Sequence, residues 1–175
     1  EPNTLPFWYT KEIVRTVDAV PDKKDILVLG GGAFTIPEYL GRTYPSSTID
    51  VVEIDPKLQD IAVDYFDYTP LPNVTIISDD ARSYVHSSEK QYDIIIVDVY
   101  SDTSIPFSLL TREYAAELNA ITAPEGVVII NAITARAGSC LQILETLDAT
   151  YRPHAPYAIL AQAQNTKKGQ RANTI

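Results

Sequence analysis

The sequence contains no methionine, a single cysteine (Cys140), one tryptophan and two histidines in 175 residues. One cysteine excludes an internal disulfide framework. His86 and His154 show no ligand spacing with each other, with Cys140 or with an acid, so no metal site is expected. Positive charge is also scarce: 14 Lys and Arg against 23 Asp and Glu give a formal net charge of -9. Such a chain does not bind by neutralising phosphates, which argues against nucleic acid as a partner and is compatible with a neutral or cationic small molecule. No apolar run approaches the roughly 20 residues that span a bilayer, and no signal-peptide pattern opens the chain. Without an initiator methionine, the chain is expected to be processed or part of a longer protein, in which a membrane tether is compatible with a domain facing the cytoplasm.

What is present begins with Ile26-Leu27-Val28-Leu29, four apolar residues that run directly into Gly30-Gly31-Gly32-Ala33. Such a run suits a central parallel strand covered on both faces, and glycines let the backbone turn tightly and approach a ligand. Ahead of it, Ile13, Val14, Val17 and Val20 form a helical stripe ending before Pro21. Further strands are expected at residues 49–54, 74–77, 94–99 and 127–132, with helices at 38–44, 80–86 and 111–120, the last capped by Thr111. Asp55-Pro56 reads as an N-cap and first helical position for a helix carrying Leu58, Ile61, Ala62, Tyr65 and Phe66 on one face. A helix around Leu141, Ile143, Leu144 and Leu147 and two last strands, 157–161 and 172–175, complete the chain.

Strands alternate with helices throughout, so residues 1–175 are expected to form one α/β domain, Rossmann-like and doubly wound. The sheet is expected to have seven strands, mostly parallel, with an antiparallel C-terminal hairpin because the last connection is too short for a crossover helix. In such sheets ligands sit beyond the carboxyl ends of the strands. Those ends carry Gly30, Gly31 and Gly32, then Glu53, Asp79 and Asp80, Asp98 and Asn131. Glu53 lies 23 positions after Gly30, about the spacing at which a carboxylate accepts from both ribose hydroxyls, although a solvated acid fits too. Thr35 replaces the last glycine of the dinucleotide fingerprint, which disfavours hydride transfer.

Val28-Leu29-Gly30-Gly31-Gly32, Val51-Val52-Glu53-Ile54-Asp55, Asp79-Asp80-Ala81 and Tyr92-Asp93-Ile94-Ile95-Ile96-Val97-Asp98 together resemble the spermidine synthase family in order and spacing, from about Phe7 to Asn131. The resemblance implies the class I methyltransferase fold and aminopropyl transfer from decarboxylated S-adenosylmethionine to a small cationic amine such as putrescine. It places Gly30, Gly31 and Gly32 under the donor's methionine-derived part, Glu53 on its ribose and Asp80 on its adenine amino group. Asp98 becomes the acid that takes the amine's proton, with Tyr9 and Asp102 near the polyamine. Tyr100, beside Asp98, is a candidate to stack on or gate the substrate, while the plainer alternative for Asp98 and Asp102 is that they cap turns and are solvated. A homodimer is compatible with the family.

The sequence departs from the family in two places. Ala33 stands where relatives carry an aspartate for the donor's amino group, a loss of about 1.5–3 kcal/mol unless another acid substitutes. Asp98-Val99-Tyr100-Ser101-Asp102 is one residue longer than the family's acidic pattern and lacks its proline. The segment from Ser104 to Thr111 resembles a divergent branch often fused to membrane transporter domains. Methyl transfer from ordinary S-adenosylmethionine and a non-catalytic ligand-binding domain are the alternatives.

Overall fold

The computed structural model describes residues 5–100, 105–135, 141–154 and 171–174. Five parallel strands form the main sheet: β1 (Asp25–Leu29), β2 (Thr48–Glu53), β3 (Val74–Ser78), β4 (Tyr92–Val97) and β5 (Thr122–Ile130), in the order β3-β2-β1-β4-β5. The register pairs Val28 with Val51 on one side and with Ile96 on the other, so the most apolar strand is also the central one. Around the sheet lie α1 (Trp8–Ala19), α2 (Thr35–Thr43), α3 (Leu58–Tyr65), α4 (Ala81–Ser87), α5 (Arg112–Ala120) and α6 (Leu141–Tyr151).

Alternation along the strands builds a core on each face. Ile26, Val28, Ile49, Val51, Ile94 and Ile96 pack with Ile13, Val14 and Val17 of α1 and Ile36 and Leu40 of α2. Leu27, Leu29, Val52, Ile95 and Val97 pack instead with Val85 of α4 and Tyr114 and Leu118 of α5. The expected doubly wound arrangement is therefore present. Among the described residues, no helix is long and apolar enough to cross a membrane.

Two expectations change. The expected seven-stranded sheet is divided among the described residues: β5 stops at Ile130, and β6 (Ala132–Ala135) pairs antiparallel with β7 (Arg171–Thr174) in a separate two-stranded sheet. Only Asn131 separates β5 from β6, too little chain for a crossover, so β6 pairs with a strand returning from elsewhere. The expected partner strand, 157–161, lies outside the described residues. Asp55 does not cap α3; its Oδ1 accepts from the Lys57 N–H at 2.9 Å, closing a turn, and the helix begins at Leu58.

Candidate active site

All five strands being parallel, their carboxyl ends gather the expected site residues at one end of the sheet. Gly30 carries φ 95°, and a Cβ there would sit 2.4 Å from the Asp98 carbonyl oxygen, so β1 and β4 touch backbone to backbone at this point. Gly30 N–H donates to Val52 O at 2.9 Å and Asp98 N–H to Leu29 O at 2.8 Å, which fixes the height of Asp98 beside the loop. Gly32, at φ 51°, is different: an added Cβ would meet nothing within 4 Å. The loop therefore presents an open backbone face, the kind of cradle a ligand can approach closely.

Glu53 is buried beneath that loop. Its Oε2 accepts from Gly31 N–H at 2.7 Å and Gly32 N–H at 3.3 Å, and its Oε1 from Asp55 N–H at 3.0 Å. Each carboxylate oxygen has two acceptor sites, so Oε1 retains capacity for a further donor. Glu53 thus shapes the glycine loop as well as standing where a ribose is expected. Asp80, one strand along, is the N-cap of α4: its Oδ1 accepts from Ser83 N–H at 3.0 Å, leaving Oδ2 for another donor. Asp79 takes the Asp80 N–H at 2.7 Å.

Asp98 has two protein neighbours that no single motif announces. Asn131 Nδ2 donates to Asp98 Oδ1 at 2.7 Å, and Asn131 is itself only 2% exposed. Burial pushes the Asp98 carboxyl above the usual carboxylate range, and the Asn131 hydrogen bond opposes part of that rise. From α1, the half-buried Tyr9 lies close enough for the Asp98 charge to act on it. Burial first, and Asp98 second, raise its phenol to about 12. Tyr9 therefore stays protonated at neutral pH, a neutral hydroxyl within reach of the Asp98 charge.

The structure brings Tyr9, Gly30, Gly31, Gly32, Glu53 and Asp98 together, with Asp80 at the next strand end. Tyr100 donates its hydroxyl to the Asn131 carbonyl oxygen at 2.6 Å, which ties the ring to the end of β5. Asp102 lies outside the described residues. Asn131 was legible as a strand end but not as the partner of Asp98; only the adjacency of β4 and β5 reveals it. Among the described residues, no group of three His, Cys, Asp or Glu side chains is arranged to hold a metal ion.

The spermine/spermidine synthase domain model matches residues 7–161. A polyamine aminopropyltransferase of Vibrio vulnificus is 33% identical over 135 residues, covering 75% of this chain and 44% of that enzyme. Putrescine N-methyltransferase 2 of Nicotiana attenuata is 34% identical over 134 residues, covering 72% of this chain and 36% of the relative. The crystal structure of a probable spermidine synthase from Corynebacterium glutamicum superposes with a TM-score of 0.86 at 30% identity, covering 99% of this chain and 64% of that one. The chain thus spans less than half the length of either sequence relative. A match over most of its residues, together with the shared fold, makes this chain a member of the spermine/spermidine synthase family.

Proposed function

We propose that this chain forms the catalytic part of an aminopropyltransferase that moves an aminopropyl group from decarboxylated S-adenosylmethionine to a small polyamine such as putrescine. The observation that carries the reading is Asp98, a buried carboxylate braced by Asn131, beside a glycine loop whose open side admits a ligand. An alkylammonium has a pKa of about 10, near that of lysine, and must lose a proton before it is nucleophilic. Asp98 first attracts the cation and then accepts the proton, and burial makes it a better base than a solvated aspartate. Tyr9 supplies a neutral hydroxyl to orient the amine. When bound, the donor supplies a sulfonium leaving group, so the chain's own task is alignment.

In this reading Gly30, Gly31 and Gly32 lie against the donor's tail, Glu53 accepts from the ribose through the remaining capacity of Oε1, and Asp80 accepts from the adenine amino group through Oδ2. Tyr100 braces the Asn131 end of the acceptor pocket, and Asp102 adds a second acid for the amine. One residue favours a second reading. Ala33 leaves room beside the donor's methionine tail, where ordinary S-adenosylmethionine carries a carboxylate that the decarboxylated form lacks, which suits methyl transfer; a putrescine N-methyltransferase is among the relatives.

Calorimetric titration separates these readings. Aminopropyl transfer predicts binding of methylthioadenosine, with decarboxylated S-adenosylmethionine preferred over the ordinary form. The reverse preference selects methyl transfer, and no binding of any of the three overturns both.

A further inference from the structure

Arg82, on α4 just beyond the Asp80 cap, reaches across 26 residues of sequence to the segment that follows Asp98. Its Nη1 donates to the Ser108 carbonyl at 2.6 Å and to Thr111 Oγ1 at 2.9 Å. Ser108 lies within a single 3-10 turn, Phe107–Leu109, and Thr111 is the N-cap of α5, accepting from Tyr114 N–H at 3.2 Å. The guanidinium also lies 5.6 Å from the centre of the Tyr114 ring and 3.7 Å from Glu117 Oε2. One planar, permanently charged group with several donors therefore holds both the turn and the cap, a task that a lysine ammonium performs less well.

A second side chain holds the same turn from the other side. Tyr151 of α6 donates its hydroxyl to the Leu109 carbonyl at 2.9 Å. The segment is thus pinned between α4 and α6, whereas Phe107 at its start is 83% exposed and adds little packing of its own. Leu109, 3% exposed, seats the turn in the core on that face, and the hydrogen bonds to Arg82 and Tyr151 fix its backbone there.

We propose that Arg82 is a positioning residue that locks the Phe107–Thr111 segment to α4, so that a nucleoside bound at Asp80 also orders this segment beyond Asp98. The inference rests on the adenosyl-sulfonium reading above for its ligand, but the clasp itself stands without it. Asp80 and Arg82 share the first turn of one helix, so a ligand that steadies that turn steadies the guanidinium.

The test is amide hydrogen exchange on the wild type, Arg82→Met and Arg82→Lys, with and without methylthioadenosine. The reporters are Leu109 N–H, bonded to Pro106 O, Leu110 N–H, bonded to Phe107 O, and Ala115 N–H, bonded to Thr111 O. Arg82→Met should speed their exchange about tenfold, the low end for charge-assisted bonds because the side chain is 32% exposed. Exchange at Gly30 and Asp98 should be unchanged, and Arg82→Lys should recover part of the protection. The ligand should slow the three reporters in the wild type and not in Arg82→Met. Unchanged reporters in Arg82→Met, exchange raised equally at Gly30 and Asp98, or ligand binding that leaves the wild-type reporters unaltered overturns the proposal. If methylthioadenosine does not bind the wild type at all, the proposed reaction fails, while the ligand-free comparison still decides whether Arg82 holds the segment.

Discussion

At the scale of single residues, burial acts on Asp98 in two ways: it strengthens the base and it weakens the fold. Because the folded-state pKa is raised, the stability linked to protonated Asp98 is fully present below the unfolded pKa and is lost as pH rises through the folded one. Asp98→Asn keeps the Oδ1 acceptor for Asn131 and removes the charge. Its melting temperature at pH 7 should therefore equal or exceed that of the wild type, with the difference shrinking as pH falls below the carboxylate range. Thermal melts across that range check the sign. The glycines give a second contrast. Gly30→Ala adds a Cβ 2.4 Å from a backbone oxygen at positive φ, and should cost about 2–4 kcal/mol. Gly32→Ala meets no atom and should cost only about 1 kcal/mol, while methylthioadenosine affinity falls because the open face is filled. Urea unfolding and calorimetry on the two variants separate the effects.

At the scale of elements, the strands were readable because their signal is local: Ile26–Leu29 and Ile94–Val97 are unbroken apolar runs, and unbroken runs belong in the middle of a parallel sheet. The strand ends followed from them, and with those Gly30, Glu53, Asp80 and Asp98. Helix α3 was less faithful to its pattern. Its stripe of Ile61, Tyr65 and Phe66 is 39%, 79% and 61% exposed, and only Ala62 is buried. The helix leads into β3, which among the described residues is an edge strand with no neighbour on one side. Long-range partners were not legible at all. The bond from Asn131 to Asp98 spans 33 residues, that from Arg82 to Ser108 spans 26, and the pairing of β6 with β7 depends on where the chain returns. Side-chain chemistry at a position is visible in sequence; which partner the fold places beside it is not.

At the scale of the whole molecule, the parallel sheet separates function from stability along its strand axis. The amino ends carry a polar network away from the site: Lys90 Nζ lies 2.9 Å from both Asp25 Oδ1 and Asp50 Oδ2, and Tyr92 donates to Asp50 at 2.9 Å. Asp50 is 8% exposed, so Lys90→Met would leave a buried carboxylate without its cation. The expected cost is about 2–3 kcal/mol in urea unfolding, moderated because Lys90 is partly solvated, with methylthioadenosine affinity unchanged at the opposite end. The central claim concerns that opposite end, where Asp98 is held to receive a proton. Its most direct test is product formation from putrescine and decarboxylated S-adenosylmethionine by the wild type and Asp98→Asn. The account predicts transfer by the wild type and a fall of about 100-fold or more in the variant. Transfer that proceeds equally well without the Asp98 carboxylate would contradict it.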